Sequence, residues 1–172
     1  MLVRAATAAD FPAIQSIYAH HVLHGLASFE ETPPSVEEMR SRYDDIVARG
    51  LPYLAAEEAG EVLGYGYCSL YRTRSGYRHT LEDSVYVRAG QHRKGIGKKL
   101  LRALIEHCEQ RGYRQLIAVV GDSAQHASIG LHASLGFLRA GTLRSVGFKF
   151  GRWVDSVVMQ RPLGPGDSTP PS

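Results

Sequence analysis

Cysteine, charge of one sign and long apolar runs are all scarce in this chain, and each scarcity removes a class of protein. Two cysteines, Cys68 and Cys108, in 172 residues are too few for a disulfide framework. Set among apolar neighbours, they read as reduced core side chains of a cytosolic protein. No apolar run approaches the roughly 20 residues needed to span a bilayer. Met1-Leu2-Val3-Arg4 leads straight into folded-looking sequence without a signal-peptide pattern. A cytoplasmic location, with no membrane partner, is the expectation. The net charge of +3 makes no demand for nucleic acid.

What is present suits an ordinary globular domain, 44% hydrophobic and 22% charged. We read one domain over residues 1–163, followed by a Pro/Gly/Ser-rich tail, 164–172, expected to be disordered. The positive charge is uneven: Arg72, Arg74, Arg78, Arg88, Arg93, Lys94, Lys98 and Lys99 crowd the middle. Such clustering suits either a small polyanionic ligand or a solvated basic face.

Periodicity predicts an opening strand over residues 2–5 and a helix capped by Thr7 or Asp10, with Pro12 favouring the later start. Ser35-Val36-Glu37-Glu38 has capping-box spacing for a second helix, which Gly50 stops. Residues 24–34 read as a loop carrying an exposed Phe29. Strands follow over 51–57 and 61–71 around a hairpin turn, then a basic loop over 72–79 and a strand over 81–88. Residues 95–111 form the clearest helix, with Ile96, Leu100, Leu101, Leu104, Ile105 and Cys108 on one stripe. A buried strand over 116–120, a short helix over 127–135 and strands over 137–143 and 153–160 complete an α/β or α+β chain with a mixed sheet.

The most informative stretch is Gln91-His92-Arg93-Lys94-Gly95-Ile96-Gly97-Lys98, between a strand and the best helix. Glycines there let the backbone approach a ligand. Its N–H groups then meet the positive end of a helix, which makes an anion site suited to pyrophosphate. A Walker A loop is excluded, because His92 and Lys99 stand where it needs glycine and Ser/Thr. A dinucleotide fingerprint is excluded too, since its third glycine falls on Leu100.

This loop resembles the Q/R-x-x-G-x-G/A pyrophosphate loop of the GNAT superfamily of N-acetyltransferases. Thr80-Leu81-Glu82-Asp83-Ser84-Val85-Tyr86-Val87 is similar to a strand of the phosphinothricin and methionine sulfoximine N-acetyltransferases. Leu131-His132-Ala133-Ser134-Leu135-Gly136-Phe137, Gly141-Thr142-Leu143 and the stretch from Gly147 to Asp155 agree with that subfamily.

The resemblance implies the GNAT fold, a mixed seven-stranded sheet splayed between its fourth and fifth strands and flanked by about four helices. Acetyl-CoA would enter the splay, paired like an added strand with main-chain groups of Val85, Tyr86 and Val87. The N–H of Val87 or its neighbour would hold the developing oxyanion. Arg93, Lys94, Gly95, Ile96, Gly97 and Lys98 would seat the pyrophosphate, with Gln125 and Ser128 as further cosubstrate contacts. Relatives often carry Asn near Gln125, so that side-chain contact is expected to shift.

Glu82 is the expected general base and Asp83, on the other strand face, the lesser candidate. His132 stands where many members carry a tyrosine that protonates the departing thiolate, so it is either that acid or part of the acceptor pocket. Phe29, Arg72, Arg74, Tyr77, Arg78, Tyr86 and Val119 would line that pocket, the arginines suiting carboxylate and phosphinate oxygens. His20, His21 and His24 have no carboxylate or cysteine partner in sequence and read as helix-surface side chains, so no metal is expected.

The expected reaction is direct acetyl transfer from acetyl-CoA to the α-amine of a small L-amino-acid analogue such as phosphinothricin, methionine sulfoximine or methionine sulfone. Rival readings are a GNAT enzyme acting on a protein N-terminus, polyamine or drug, and a non-catalytic acyl-CoA-binding module. A homodimer is expected from the resemblance, with exposed aromatics such as Trp153 available for contact.

Overall fold

Alternating side chains on the strands from Leu2 to Pro162 build one sheet, which a computed structural model describes together with its helices over residues 1–171. The elements run β1 (Leu2–Ala5), α1 (Phe11–His24), α2 (Val36–Ala48), β2 (Tyr53–Glu58), β3 (Glu61–Leu70), β4 (Thr80–Val87), α3 (Ile96–Gln110), β5 (Gln115–Gly121), α4 (His126–Ala133), β6 (Leu138–Lys149) and β7 (Arg152–Pro162). Strand order is β1-β2-β3-β4-β5-β7-β6, antiparallel throughout except for the parallel pair β4 and β5. This is the expected mixed sheet.

Local chemistry accounts for most boundaries. Thr7 starts a 3₁₀ turn, and its N–H donates to the Asp10 carboxylate at 2.7 Å; α1 proper begins after Asp10, with Pro12 in its first turn. Both expected starts are therefore used. Ser35 Oγ accepts the Glu38 N–H and caps α2. Ala59 and Gly60, at φ 51° and 83°, make the two-residue turn between β2 and β3.

The apolar stripe of α3 covers one face of the sheet. The missing side chains of Gly64 and Gly66 on β3 leave room for Ile96, Leu100 and Leu104, and Cys68 meets Cys108 there, both buried and reduced. The opposite face is tyrosine-rich. Tyr65 stacks on Tyr86 at 5.2 Å, Tyr53 on Tyr67 at 5.0 Å, and Tyr18 of α1 meets Tyr86 edge-on at 5.1 Å.

One expectation is corrected. β6 reaches Lys149 rather than stopping at residue 143, because Ser145 takes φ 52° and the register with β7 shifts between Leu143 and Gly147, which hides the strand's continuation from simple alternation. In the expected tail, Arg114 donates to the carbonyls of Gly166 and Pro170 at 2.9 and 3.0 Å. Residue 172 lies outside the described residues.

Candidate active site

The site begins with a defect in strand pairing. Arg88 donates its N–H to the Leu63 carbonyl at 2.9 Å. Because antiparallel residues alternate between bonded and non-bonded pairs, the main-chain groups of Glu82, Ser84 and Tyr86 are directed at β3. Those of Asp83, Val85 and Val87 point the other way, toward β5. There the parallel pairing ends at Asp83 and Ala118. Beyond that point β4 and β5 diverge, leaving Val85 and Val87 without a strand partner. Of the residues expected to offer main-chain groups to the gap, Tyr86 is corrected by this alternation: its backbone serves β3 and its side chain is core.

A cavity of about 590 Å³ runs along the exposed edge of Val85 and Val87. The turn before α3 closes one end. Arg93 and Gly95 take φ 65° and 75°, and Gly95 is the N-cap residue of α3. That left-handed conformation at Gly95 directs the chain into the helix while the first-turn N–H groups of Ile96, Gly97 and Lys98 lack helical acceptors. Gly97 packs closely: a Cβ would come 3.1 Å from the Leu131 side chain and 3.6 Å from Val87. Arg93 and Lys98 line the cavity, so cationic side chains and the helix dipole converge on one end. Lys94, expected in the same group, instead donates to Gln91 Oε1 at 2.7 Å and is absent from the lining.

Gln125 and Ser128, at the start of α4, line this cavity and also a smaller one of about 80 Å³ between the splayed strands. The smaller cavity joins Asp83, Ser84, Val85 and Tyr86 of β4 to Val119 and Gly121 of β5, with His132 at its wall.

Glu82 and His132 stand on opposite faces of the sheet at this gap. Side chains of Glu82, Ser84 and Tyr86 share the tyrosine face; those of Asp83 and Val85 share the α3–α4 face, where Asp83 meets His132. Burial pushes the Glu82 carboxyl above its ordinary range, the neighbouring Asp83 charge adds to this, and Arg72 pulls the other way. His132 Nε2 lies 3.0 Å from Asp83 Oδ2, and Nδ1 lies 2.8 Å from the Ser128 carbonyl. Burial pulls the His132 pKa down, but the bond and charge of Asp83 and the Ser128 carbonyl outweigh it and leave it above the usual value.

Phe29 lies over the end of this face. A Cβ on Gly121 would fall 2.0 Å from the Leu26 carbonyl oxygen, and one on Gly147 would fall 2.4 Å from the Phe29 ring. The loop is held down by the buried Lys149, which donates to the carbonyls of Gly25 and Ser28 at 3.0 and 2.7 Å, and by a Tyr18–Ser28 hydroxyl contact of 2.9 Å. Val119 is 42% exposed, within the gap. Of the basic loop, Arg72 packs over Tyr71 and acts on Glu82. Tyr77 rests edge-on against Tyr71, Arg78 bonds the Ser75 carbonyl, and Arg74 precedes a 3₁₀ turn over Ser75–Tyr77. Phe29, Arg72, Arg74, Tyr77, Arg78 and Glu82 line neither of these cavities.

Sequence reasoning missed the role of α1. His20, His21 and His24 line the larger cavity rather than a bare helix surface. His21 Nε2 bonds the Val87 carbonyl at 2.9 Å, which leaves the Val87 N–H as its gap-facing group. Burial lowers the His21 pKa, and the bond to Val87 only partly opposes this, so the ring is neutral near pH 7 and donates that hydrogen. The tight His20-His21 and His24 spacing was a signal, but its target lies far along the chain. Among the described residues no group of His, Cys, Asp and Glu is placed to hold a metal, and no helix is long and apolar enough to cross a membrane.

A splayed parallel pair, strand edges without partners in the splay and an anion-binding helix start beside them define a known class. The acetyltransferase (GNAT) family matches residues 17–137, and the chain belongs to that family. Within it, the chain is 59% identical over 162 residues to phosphinothricin N-acetyltransferase from Alcaligenes faecalis, covering 94% of this chain and 82% of the relative. It is 43% identical over 169 residues to the L-methionine sulfoximine/L-methionine sulfone acetyltransferase of Pseudomonas aeruginosa, covering 98% of each. The crystal structure of a GNAT superfamily phosphinothricin acetyltransferase from Sinorhizobium meliloti in complex with AcCoA superposes with a TM-score of 0.96 at 47% identity, covering 99% of this chain and 92% of that one.

Proposed function

We propose that this enzyme transfers the acetyl group of acetyl-CoA to the α-amine of a small L-amino-acid analogue, with phosphinothricin, methionine sulfoximine and methionine sulfone as the acceptor class. One observation carries the reading: strand edges without partners at Val85 and Val87 lie between a half-buried carboxylate, Glu82, and a buried imidazole, His132, on opposite faces. A pantetheine arm is an amide chain of the kind such an edge pairs with. The N-terminus of α3, Arg93 and Lys98 suit its pyrophosphate. The names of the relatives support the acceptor class.

In this reading the amine enters on the Glu82 face, beside Arg72 and under Phe29. An α-amine of pKa near 8 is only about one-tenth neutral at pH 7, and only the neutral form attacks a thioester. Glu82, directly or through one water, takes the ammonium proton. Positioned base catalysis of this kind supplies roughly 10²–10⁴-fold. The Val87 N–H, held by the His21 bond to the same residue, polarises the acetyl carbonyl. His132 meets the leaving sulfur from the other face. A cytoplasmic location belongs to the same reading, supported by the dependence on acetyl-CoA. A homodimer also belongs to this reading, supported by the exposed apolar side chains Leu143, Val146, Phe148 and Trp153 on the β6–β7 ribbon at the sheet edge.

Thiol release from acetyl-CoA, measured with a panel of amines, tests the proposal. L-phosphinothricin, L-methionine sulfoximine and L-methionine sulfone are expected to be turned over well ahead of spermidine or a peptide N-terminus. Preference for the polyamine or peptide would overturn the acceptor class, and no release with any amine would overturn the enzyme.

A further inference from the structure

Both ring nitrogens of His132 face oxygen. The Ser128 carbonyl, 2.8 Å from Nδ1, only accepts, so Nδ1 carries hydrogen. Asp83 Oδ2, 3.0 Å from Nε2, is a carboxyl oxygen, and a hydrogen bond there needs one further proton, on the ring or on the carboxyl. The pair therefore holds one proton more than a neutral imidazole beside a free carboxylate. Bulk solvent barely touches the pair: side-chain exposure is 1% for Asp83 and 6% for His132. The other carboxyl oxygen, Oδ1, is buried without a hydrogen-bond partner. Burying such a group unmet is costly, and Asp83 and His132 both line the small cavity of the gap.

We propose that Asp83 is a positioning residue for the departure of coenzyme A: its carboxylate keeps the second proton on His132, and that proton passes to the sulfur as the thioester opens. The inference rests on the acetyl-transfer reading. The C–S bonding electrons go to sulfur, which takes the proton from His132. A neutral imidazole beside carboxylate remains and is reprotonated from solvent after the thiol departs. The nitrogen sheds two protons on the other face: Glu82 takes the first from the ammonium and passes it to solvent, then takes the second as the amide forms, so that with His132 recharged from solvent one proton is released per turnover.

Asp83 and the Ser128 carbonyl are what oppose the burial cost of this proton. Phe137 packs edge-on against His132 at 5.0 Å. Cys68 stands opposite Asp83 on β3, with Cys108 of α3 behind it. Glu82 neighbours Asp83 in the chain but faces the other way. β5 has no ionisable side chain, and α4 has only His126 besides His132. Asp83 is thus the carboxylate that His132 contacts, and it raises the imidazole's affinity for its proton.

Asp83→Asn tests this, because it keeps shape and a carbonyl acceptor but removes the charge. Two readouts are needed. In ¹⁵N spectra of the full-length, unliganded wild type near pH 7, His132 is expected to carry hydrogen on both nitrogens; in Asp83→Asn it is expected to be neutral. In thiol-release assays the alkaline limb of the kcat profile is expected to move to lower pH by about one unit or more, whereas a merely structural role would lower activity by one factor at every pH. An unprotonated ring nitrogen in the wild type near pH 7, or an unmoved alkaline limb in the variant, overturns the proposal. If the variant does not fold, the wild-type spectrum decides alone. Failure of the acetyl-transfer reading would look different: no thiol release by the wild type at any pH, whatever the spectrum.

Discussion

Glu82 and His132 are tuned in the directions that acid–base chemistry on an amine requires. Burial raises the Glu82 carboxyl, which makes it a better acceptor for an ammonium proton than an exposed glutamate. Replacing it with Gln is expected to lower kcat at least tenfold, with the acetyl-CoA dissociation constant, read by calorimetry, changed by less than about twofold. The pH profile should be bell-shaped. Activity rises as Glu82 loses its proton, at a pH above the ordinary carboxylate range. It falls as His132 loses its proton, above the ordinary histidine range. In Glu82→Gln the acid limb should vanish; its persistence would assign that limb to another group. At this scale the raised Glu82 carboxyl and the turn at Gly95 were legible, because their chemistry is local. The Asp83–His132 and His21–Val87 contacts were not. They join positions 49 and 66 residues apart, and neither histidine lies in a pattern that names its partner.

Elements were legible where their caps and periodicity are strong. The stripe of α3, the Ser35 cap and the turn at Ala59-Gly60 each act within a few residues. The gap was not legible from composition or period, because β4 and β5 both run on as ordinary strands past the point, Asp83 and Ala118, where their pairing stops; it was reached only through the family resemblance. The loop between α1 and α2 is a comparable case. Its fit depends on bare backbone at Gly121, where a Cβ would lie 2.0 Å from the Leu26 carbonyl. Gly121→Ala is expected to push the loop outward, costing about 1–3 kcal/mol. For a chain of this size that is roughly 2–4 °C in Tm per kcal/mol. Acceptor KM should rise more than acetyl-CoA KM, since Phe29 sits over the end of the Glu82 face, where the amine is proposed to enter. An unchanged Tm with unchanged KM would show that the loop does not need that contact.

The whole molecule has an asymmetric surface. β1 and β6 are the two edge strands, and the β6–β7 ribbon carries Phe148 and Trp153, edge-on at 5.3 Å yet 57% and 64% exposed. If a second copy covers this ribbon, Trp153→Arg should shift sedimentation from dimer toward monomer while leaving far-UV dichroism unchanged. A wild type that sediments as a monomer at all concentrations would remove the dimer. Sequence gave early access to this surface through its aromatics, but not to the length of β6, because Ser145 interrupts the alternation there. Everything else depends on a thioester lying in the gap, reached by a base from one face and an acid from the other. Diffraction from crystals holding coenzyme A tests this most directly through the position of the sulfur. The sulfur should lie between β4 and β5, with Glu82 and His132 on opposite sides and the pyrophosphate against residues 93–98; a sulfur outside the gap, or both side chains on one side of it, would contradict the account.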